Sequence, residues 1–130
     1  MEKQIEYYQS KIDFEIDSFD LLKALEGGGN MVPVDTRHDF AFEKEHIPGA
    51  INIPHREMNE FTTKNLDKSK IYVCYCDGIG CNASTKGALN MTKLGFKVKE
   101  LIGGIEWWKF DGYSTEGSES LQQKQAECAC

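Results

Sequence analysis

Apolar residues fall into short runs separated by polar, glycine-containing stretches, and the period changes from one run to the next. Glu2 to Lys11 has helical composition with a weak apolar stripe, predicting a peripheral N-terminal helix over residues 1–11. Ile12, Phe14 and Ile16 alternate with charged residues, the period of a half-exposed strand. Asp17 suits a helix N-cap, Phe19, Leu21, Leu22 and Leu25 follow on one face, and Gly27 to Gly29 end that helix. The three glycines lack the spacing of a phosphate loop. Met31 to Val34 reads as a buried strand with Asp35, Thr36 and Arg37 emerging at its carboxyl end, and Ala50 to Ile53 is a further short apolar segment. Ile71 to Tyr75 is the most strand-like run in the chain. Ala83 to Leu94 predicts a helix stopped by Gly95, Val98 to Ile102 another strand, and Ile105 to Phe110 a short helix. Strand and helix patterns that alternate in this way predict an α/β fold with a central, mainly parallel sheet and helices on both faces.

The chain has 130 residues, enough for one core, and the alternating pattern occupies residues 12–113. Residues 114–130 are rich in Ser, Glu and Gln, and with so little apolar surface to offset ordering entropy they are expected to be disordered, ending in Cys-Ala-Cys. The net charge of −6, with no basic stripe interleaved with aromatics, argues against a nucleic-acid partner. No stretch approaches the roughly 20 apolar residues of a membrane span, and the charged residues after Met1 leave no apolar leader. Neither membrane association nor export is expected, and residence is expected to be cytoplasmic.

Five cysteines, clustered as Cys74, Cys76, Cys81 and then Cys128 and Cys130, do not form a secreted disulfide framework. Thiol chemistry, metal ligation and burial as small hydrophobes are the readings to weigh. Cys76 sits where the strongest strand meets a loop, Asp77-Gly78-Ile79-Gly80-Cys81-Asn82, that leads into a helix. Loop amides and the helix N-terminus at such a junction favour a thiolate, so its pKa is expected to be lowered. Gly78 and Gly80 are expected to let the loop adopt the strained or left-handed dihedrals that turn those amides inward. Cys74 alternates with Tyr75 and is expected to be buried and inert. Trp107 and Trp108 are expected in packing. The roles of Cys128 and Cys130 stay open.

At this point the chain resembles the rhodanese family. Val34-Asp35-Thr36-Arg37, Glu43 and His46-Ile47-Pro48-Gly49-Ala50-Ile51-Asn52-Ile53-Pro54 are similar to its N-terminal signature. Gly95-Phe96-Lys97-Val98, Leu101-Ile102-Gly103-Gly104-Ile105-Glu106-Trp107-Trp108 and Gly112-Tyr113 are similar to its C-terminal one, and Cys76 lies between them at the family's cysteine. The resemblance implies a rhodanese-like domain over residues 12–113 and a sulfurtransferase in which Cys76 takes the outer sulfur of a donor and passes it to an acceptor. It implies no metal and no organic cofactor; the partners are a small-molecule or protein-borne sulfane sulfur donor and a thiol acceptor. Carried over by position, Cys76 is the nucleophile, the amides of Asp77, Gly78, Ile79, Gly80, Cys81 and Asn82 form the persulfide cradle, and Asp35 and Arg37 support it as an ion pair. His46 is expected to be a structural hydrogen-bonder before Pro48.

The loop departs from many thiosulfate-using members, which carry Arg or Lys where this chain has Asp77 and no basic residue through Cys81. Thiosulfate is therefore expected to be a poor donor, because nothing in the loop offsets the acid. Cys81, five residues on, is either a resolving thiol for Cys76 or a loop residue whose amide alone matters. A cysteine phosphatase is disfavoured because Asn82 stands where a Cys-x5-Arg loop needs arginine. The alternative of another class is a non-catalytic redox-sensing or thiol/zinc-binding module.

Overall fold

The computed structural model describes residues 1–120. In chain order these form α1 (Glu2–Phe14), β1 (Glu15–Ile16), α2 (Ser18–Glu26), β2 (Met31–Asp35), α3 (Asp39–Lys44), β3 (Ile51–Asn52), a 3-10 turn (His55–Glu57), β4 (Ile71–Tyr75), α4 (Ala83–Lys93), β5 (Lys97–Leu101) and α5 (Gly104–Phe110). All five strands are parallel, in the order β1-β5-β4-β2-β3.

β4 is apolar throughout because it is the middle strand, paired on both sides and covered on both faces. Its Val73 and Tyr75 join Ile16, Leu21, Ile47, Leu101, Ile105 and Trp108 in one buried cluster. Its Tyr72 and Cys74 join Val34, Ile53, Met91 and Phe96 in the other. The i, i+2 alternation of a strand makes this division, so Cys74 and Tyr75 lie on opposite faces as expected. Pro33 is tolerated within β2 because β3 pairs only with Val34 and Asp35, so the edge where its missing N–H points has no ladder neighbour.

Two boundaries differ from the sequence pattern. α1 runs on to Phe14, leaving a strand of only Glu15 and Ile16, and Ile12 and Phe14 are exposed rather than alternating into a core. The helix persists because the Lys99 ammonium donates to the Asp13 carbonyl at 2.8 Å and Lys11 pairs with Glu15 one turn on, satisfying its C-terminal end. The segment 114–120 is also placed: the Glu116 N–H donates to the His46 carbonyl at 2.9 Å, and the Ser118 N–H to the Glu43 carbonyl at 3.0 Å. Backbone pairing to the end of α3 holds it in place of the apolar burial whose lack predicted disorder. The rest of that stretch, with Cys128 and Cys130, lies outside the described residues.

From β2 the chain moves outward to β3, and from β4 it moves the other way to β5. The carboxyl ends of β2 and β4 therefore flank a topological switch point, where a crevice opens above an α/β sheet. Residues 35–37 and 76–82 are the two segments that reach it.

Candidate active site

At the end of β2, Asp35 is fully buried and accepts the Arg37 N–H and Nε–H at Oδ1, both at 3.0 Å. Its Oδ2 accepts Arg37 Nη2 at 2.7 Å and the Tyr75 hydroxyl at 3.1 Å. Arg37 Nη2 also donates to the Glu45 carbonyl at 2.6 Å, and Nη1 donates to Asp77 Oδ1 at 3.1 Å. Burial works against the guanidinium, but its bonds to Asp35 and Asp77 outweigh that and raise its pKa, fixing it as a cation. No residue of the loop offsets Asp77; a cation from outside it does, since its partner is Arg37 beyond the end of β2, forty positions away. Tyr75 is held neutral, its hydroxyl pKa raised by burial and by Asp35.

Cys76 is 1% exposed. Its Sγ lies 3.2 Å from the Cys81 carbonyl oxygen and 3.7 Å from Ser84 Oγ. Burial raises the thiol's pKa and the neighbouring Cys81 thiol raises it further, while the Ser84 amide, in the first turn of α4, and the Ser84 hydroxyl where it donates to the sulfur oppose them. The expectation of a lowered pKa is thus corrected. Desolvation outweighs the helix terminus, and the loop also turns the Cys81 carbonyl towards the sulfur. The left-handed glycines are corrected as well, since neither Gly78 nor Gly80 has a positive φ. Gly78 is small for another reason: a Cβ there would collide with the Glu106 carboxylate. The loop closes with the Cys81 N–H donating to the Gly78 carbonyl at 3.2 Å, and α5 docks on it through the Ile105 and Glu106 amides, which donate to the carbonyls of Cys76 (3.0 Å) and Asp77 (2.8 Å). Ile79, Gly80 and Asn82 are exposed along its outer side.

A cleft of about 380 Å³ opens beside the loop, lined among others by Arg37, His38, Phe40, His55, Arg56 and Cys81. Cys81 is thus the thiol on the cleft wall, with Cys76 behind it. His55 has its pKa lowered by burial and by Arg56, Lys86 and His38, so positive charge gathers at the rim. Cys74 is fully buried beside Met91, its pKa pushed up to about 12 by burial and by Glu100. His46 stacks on Phe42, bonds the Phe42 carbonyl at 2.7 Å and stays in the loop before Pro48. Trp108 is core and Trp107 is half exposed against Phe110.

Sequence reasoning missed Ser84, Glu100 and, of the cleft lining, His38, Phe40, His55 and Arg56. A signal existed for the first two: Ser84 is the second residue of the helix that Cys76 faces, and Glu100 shares the α4-facing side of β5 with Val98. Among the described residues no three His, Cys, Asp or Glu side chains cluster as metal ligands, and no helix is long and apolar enough to cross a membrane.

A buried cysteine at the switch point of an all-parallel sheet, with an ion pair from the neighbouring strand end beside it, defines an α/β thiol protein. The rhodanese-like domain family matches residues 18–111, and the chain belongs to that family. It is similar to thiosulfate sulfurtransferase GlpE of Coxiella burnetii, 37% identical over 82 residues that span 62% of this chain and 73% of that one. HTH-type transcriptional regulator Rv0324 of Mycobacterium tuberculosis is 32% identical over 93 residues, 72% of this chain and 40% of that protein. The crystal structure of BH2092 protein from Bacillus halodurans superposes with a TM-score of 0.88 at 41% identity, covering 92% of this chain and 88% of that one.

Proposed function

We propose that this chain is a rhodanese-type sulfurtransferase that carries sulfane sulfur as a persulfide on Cys76. The observation that carries the reading is the burial of Cys76 at the switch point, its sulfur facing Ser84 in the first turn of α4. A thiol enclosed in this way meets a donor where water is largely excluded, and the Ser84 amide stabilises negative charge on sulfur as the donor's S–S bond breaks. The relatives named as thiosulfate sulfurtransferases support the reaction class. For the cradle to close on a persulfide, the Cys81 carbonyl has to turn away from the sulfur and an amide of residues 77–82 has to replace it.

Thiosulfate is a poor donor in this reading, now for a different reason. Arg37, the cation nearest the loop, gives its donors to Asp35, Glu45 and Asp77, leaving little for a sulfonate. The donor that fits is a persulfide on a larger thiol, small-molecule or protein-borne, whose carrier occupies the cleft; the acceptor is a second thiol by the same route. Cys81 on the cleft wall is the resolving thiol. A second reading, a non-catalytic redox-sensing module, is favoured by the Cys76–Cys81 neighbourhood and by the likeness to a transcriptional regulator. Mass spectrometry of the reduced protein after exposure to a persulfide donor tests the two. We expect one added sulfur on Cys76, lost to excess thiol acceptor and absent from Cys76→Ser. A Cys76–Cys81 disulfide with no sulfur gain overturns the transferase reading.

A further inference from the structure

Glu100 lies on β5, in register with Cys74 of β4 and Glu15 of β1, beneath the start of α4. Its Oε2 accepts the hydroxyl protons of Ser84 at 2.8 Å and Thr85 at 2.6 Å. An ionised carboxylate only accepts, and a serine hydroxyl has one proton, so Ser84 spends its proton on Glu100. What Ser84 Oγ presents to Cys76 Sγ is lone pairs. The thiol proton therefore points towards acceptors on both sides, Ser84 Oγ and the Cys81 carbonyl. A thiolate in the same place is favoured by the Ser84 amide, and by the Ser84 hydroxyl only when that hydroxyl turns from Glu100 to the sulfur.

We propose that Glu100 is a positioning residue that acts through Ser84 to hold Cys76 as a protonated thiol and to receive its proton when the sulfur attacks. The proposal rests on Cys76 being the nucleophile. The Cys76 proton passes to Ser84 Oγ as Ser84's own proton passes to Glu100 Oε2. The freed sulfur pair bonds to the outer sulfur of a donor R–S–SH, the donor's S–S bond breaks with its electron pair on RS⁻, and that thiolate takes up a proton. No oxidant or reductant enters. With Glu100 protonated, Ser84 is free to turn and donate to the sulfur, so the same hydroxyl serves both states. Of the other groups around the pair, Asp77 is bonded to Arg37 and Glu15 to Lys11, Cys74 is held neutral by burial, and Glu106 lies against Gly78 on the outer side of the loop.

The test is the pH dependence of Cys76 alkylation, resolved from Cys74 and Cys81 by peptide mass spectrometry. It requires no sulfur transfer, so it stands or falls apart from the transferase reading. Glu100→Ala frees the Ser84 hydroxyl, and its alkylation midpoint is expected about one pH unit lower, with roughly tenfold more reaction at neutral pH. Glu100→Gln, which keeps an acceptor without the charge, is expected to shift the midpoint in the same direction by less, and it carries the test if Glu100→Ala does not fold. In a Ser84→Ala background the Glu100→Ala shift is expected to shrink to less than half. A midpoint equal to wild type in both Glu100 variants overturns the proposal, and so does a shift of undiminished size without the Ser84 hydroxyl.

Discussion

Arg37 and Asp77 match each other's charge across the crevice, and that pairing decides how the loop treats an anion. The Asp77 side chain is 60% exposed, so the bond to Arg37 is solvent-screened and worth at most about 1 kcal/mol. The Arg37–Asp35 bond is different, because Asp35 is wholly buried and its charge has no other cation among the described residues. Asp77→Asn therefore loosens one Arg37 donor without disturbing the buried pair, and the specificity constant for thiosulfate is expected to rise by up to about fivefold. The gain should fade as salt is added, since the Asp77 charge that is removed lies at the surface. A variant no better than wild type at low salt would show that Arg37 is not what limits thiosulfate use. Strand ends made Asp35, Arg37 and Cys76 legible in the sequence. The pairing of Arg37 with Asp77 was not legible, because it joins positions forty apart through the β2–β4 register. Ser84 with Glu100 bridges sixteen positions in the same manner. Period and spacing report which face a side chain takes, but not which partner the neighbouring strand brings to it.

α5 holds the active loop from behind, and its first glycine is the contact point. Gly104 has a φ of +61°, and a Cβ there would meet the Cys76 carbonyl oxygen and lie 2.8 Å from the Asp77 carbonyl carbon. Backbone on both sides leaves nothing to move aside. Gly78 faces only the end of the Glu106 side chain, which can swing into solvent. Gly104→Ala is thus expected to cost about 1–3 kcal/mol or more in urea unfolding, and Gly78→Ala clearly less. Equal costs would mean that α5 does not bear on the loop. Among the elements, β4, α4 and β5 follow directly from their patterns, because burial on both faces or on one fixes the period. The start of β1 does not, because Ile12 and Phe14 alternate like a strand yet belong to a helix held by its C-terminal polar partners. β3 is too short, at two residues, for any period to mark its ends.

For the molecule as a whole, the buried groups that keep their protons set where stability fails. Cys74 is raised to about 12 by burial and Glu100; Tyr75, Cys76 and Tyr72 are each raised, with burial the largest cause. In the unfolded chain these thiols ionise near 8.5 and the tyrosines near 10. Because the folded values are the higher ones, the stability these groups contribute is fully present below the unfolded pKa and is lost as pH rises towards the folded one. The paired surfaces that close the domain are unaffected in that range: Arg37 stays charged, and the 114–120 segment is held chiefly by backbone bonds and by Thr115 donating to Glu45 at 2.7 Å. Stability measured by urea unfolding is therefore expected to be level from about pH 7 to 8 and then to fall, by about 1.4 kcal/mol per pH unit for each group that ionises only when unfolded. Cys74→Ala starts lower at neutral pH through its lost packing beside Met91, and its decline between about pH 9 and 11 should be shallower by close to one such increment. A wild-type curve that stays flat to about pH 10.5, or a Cys74→Ala curve of the same slope, would show that the buried thiol of β4 does not keep its proton.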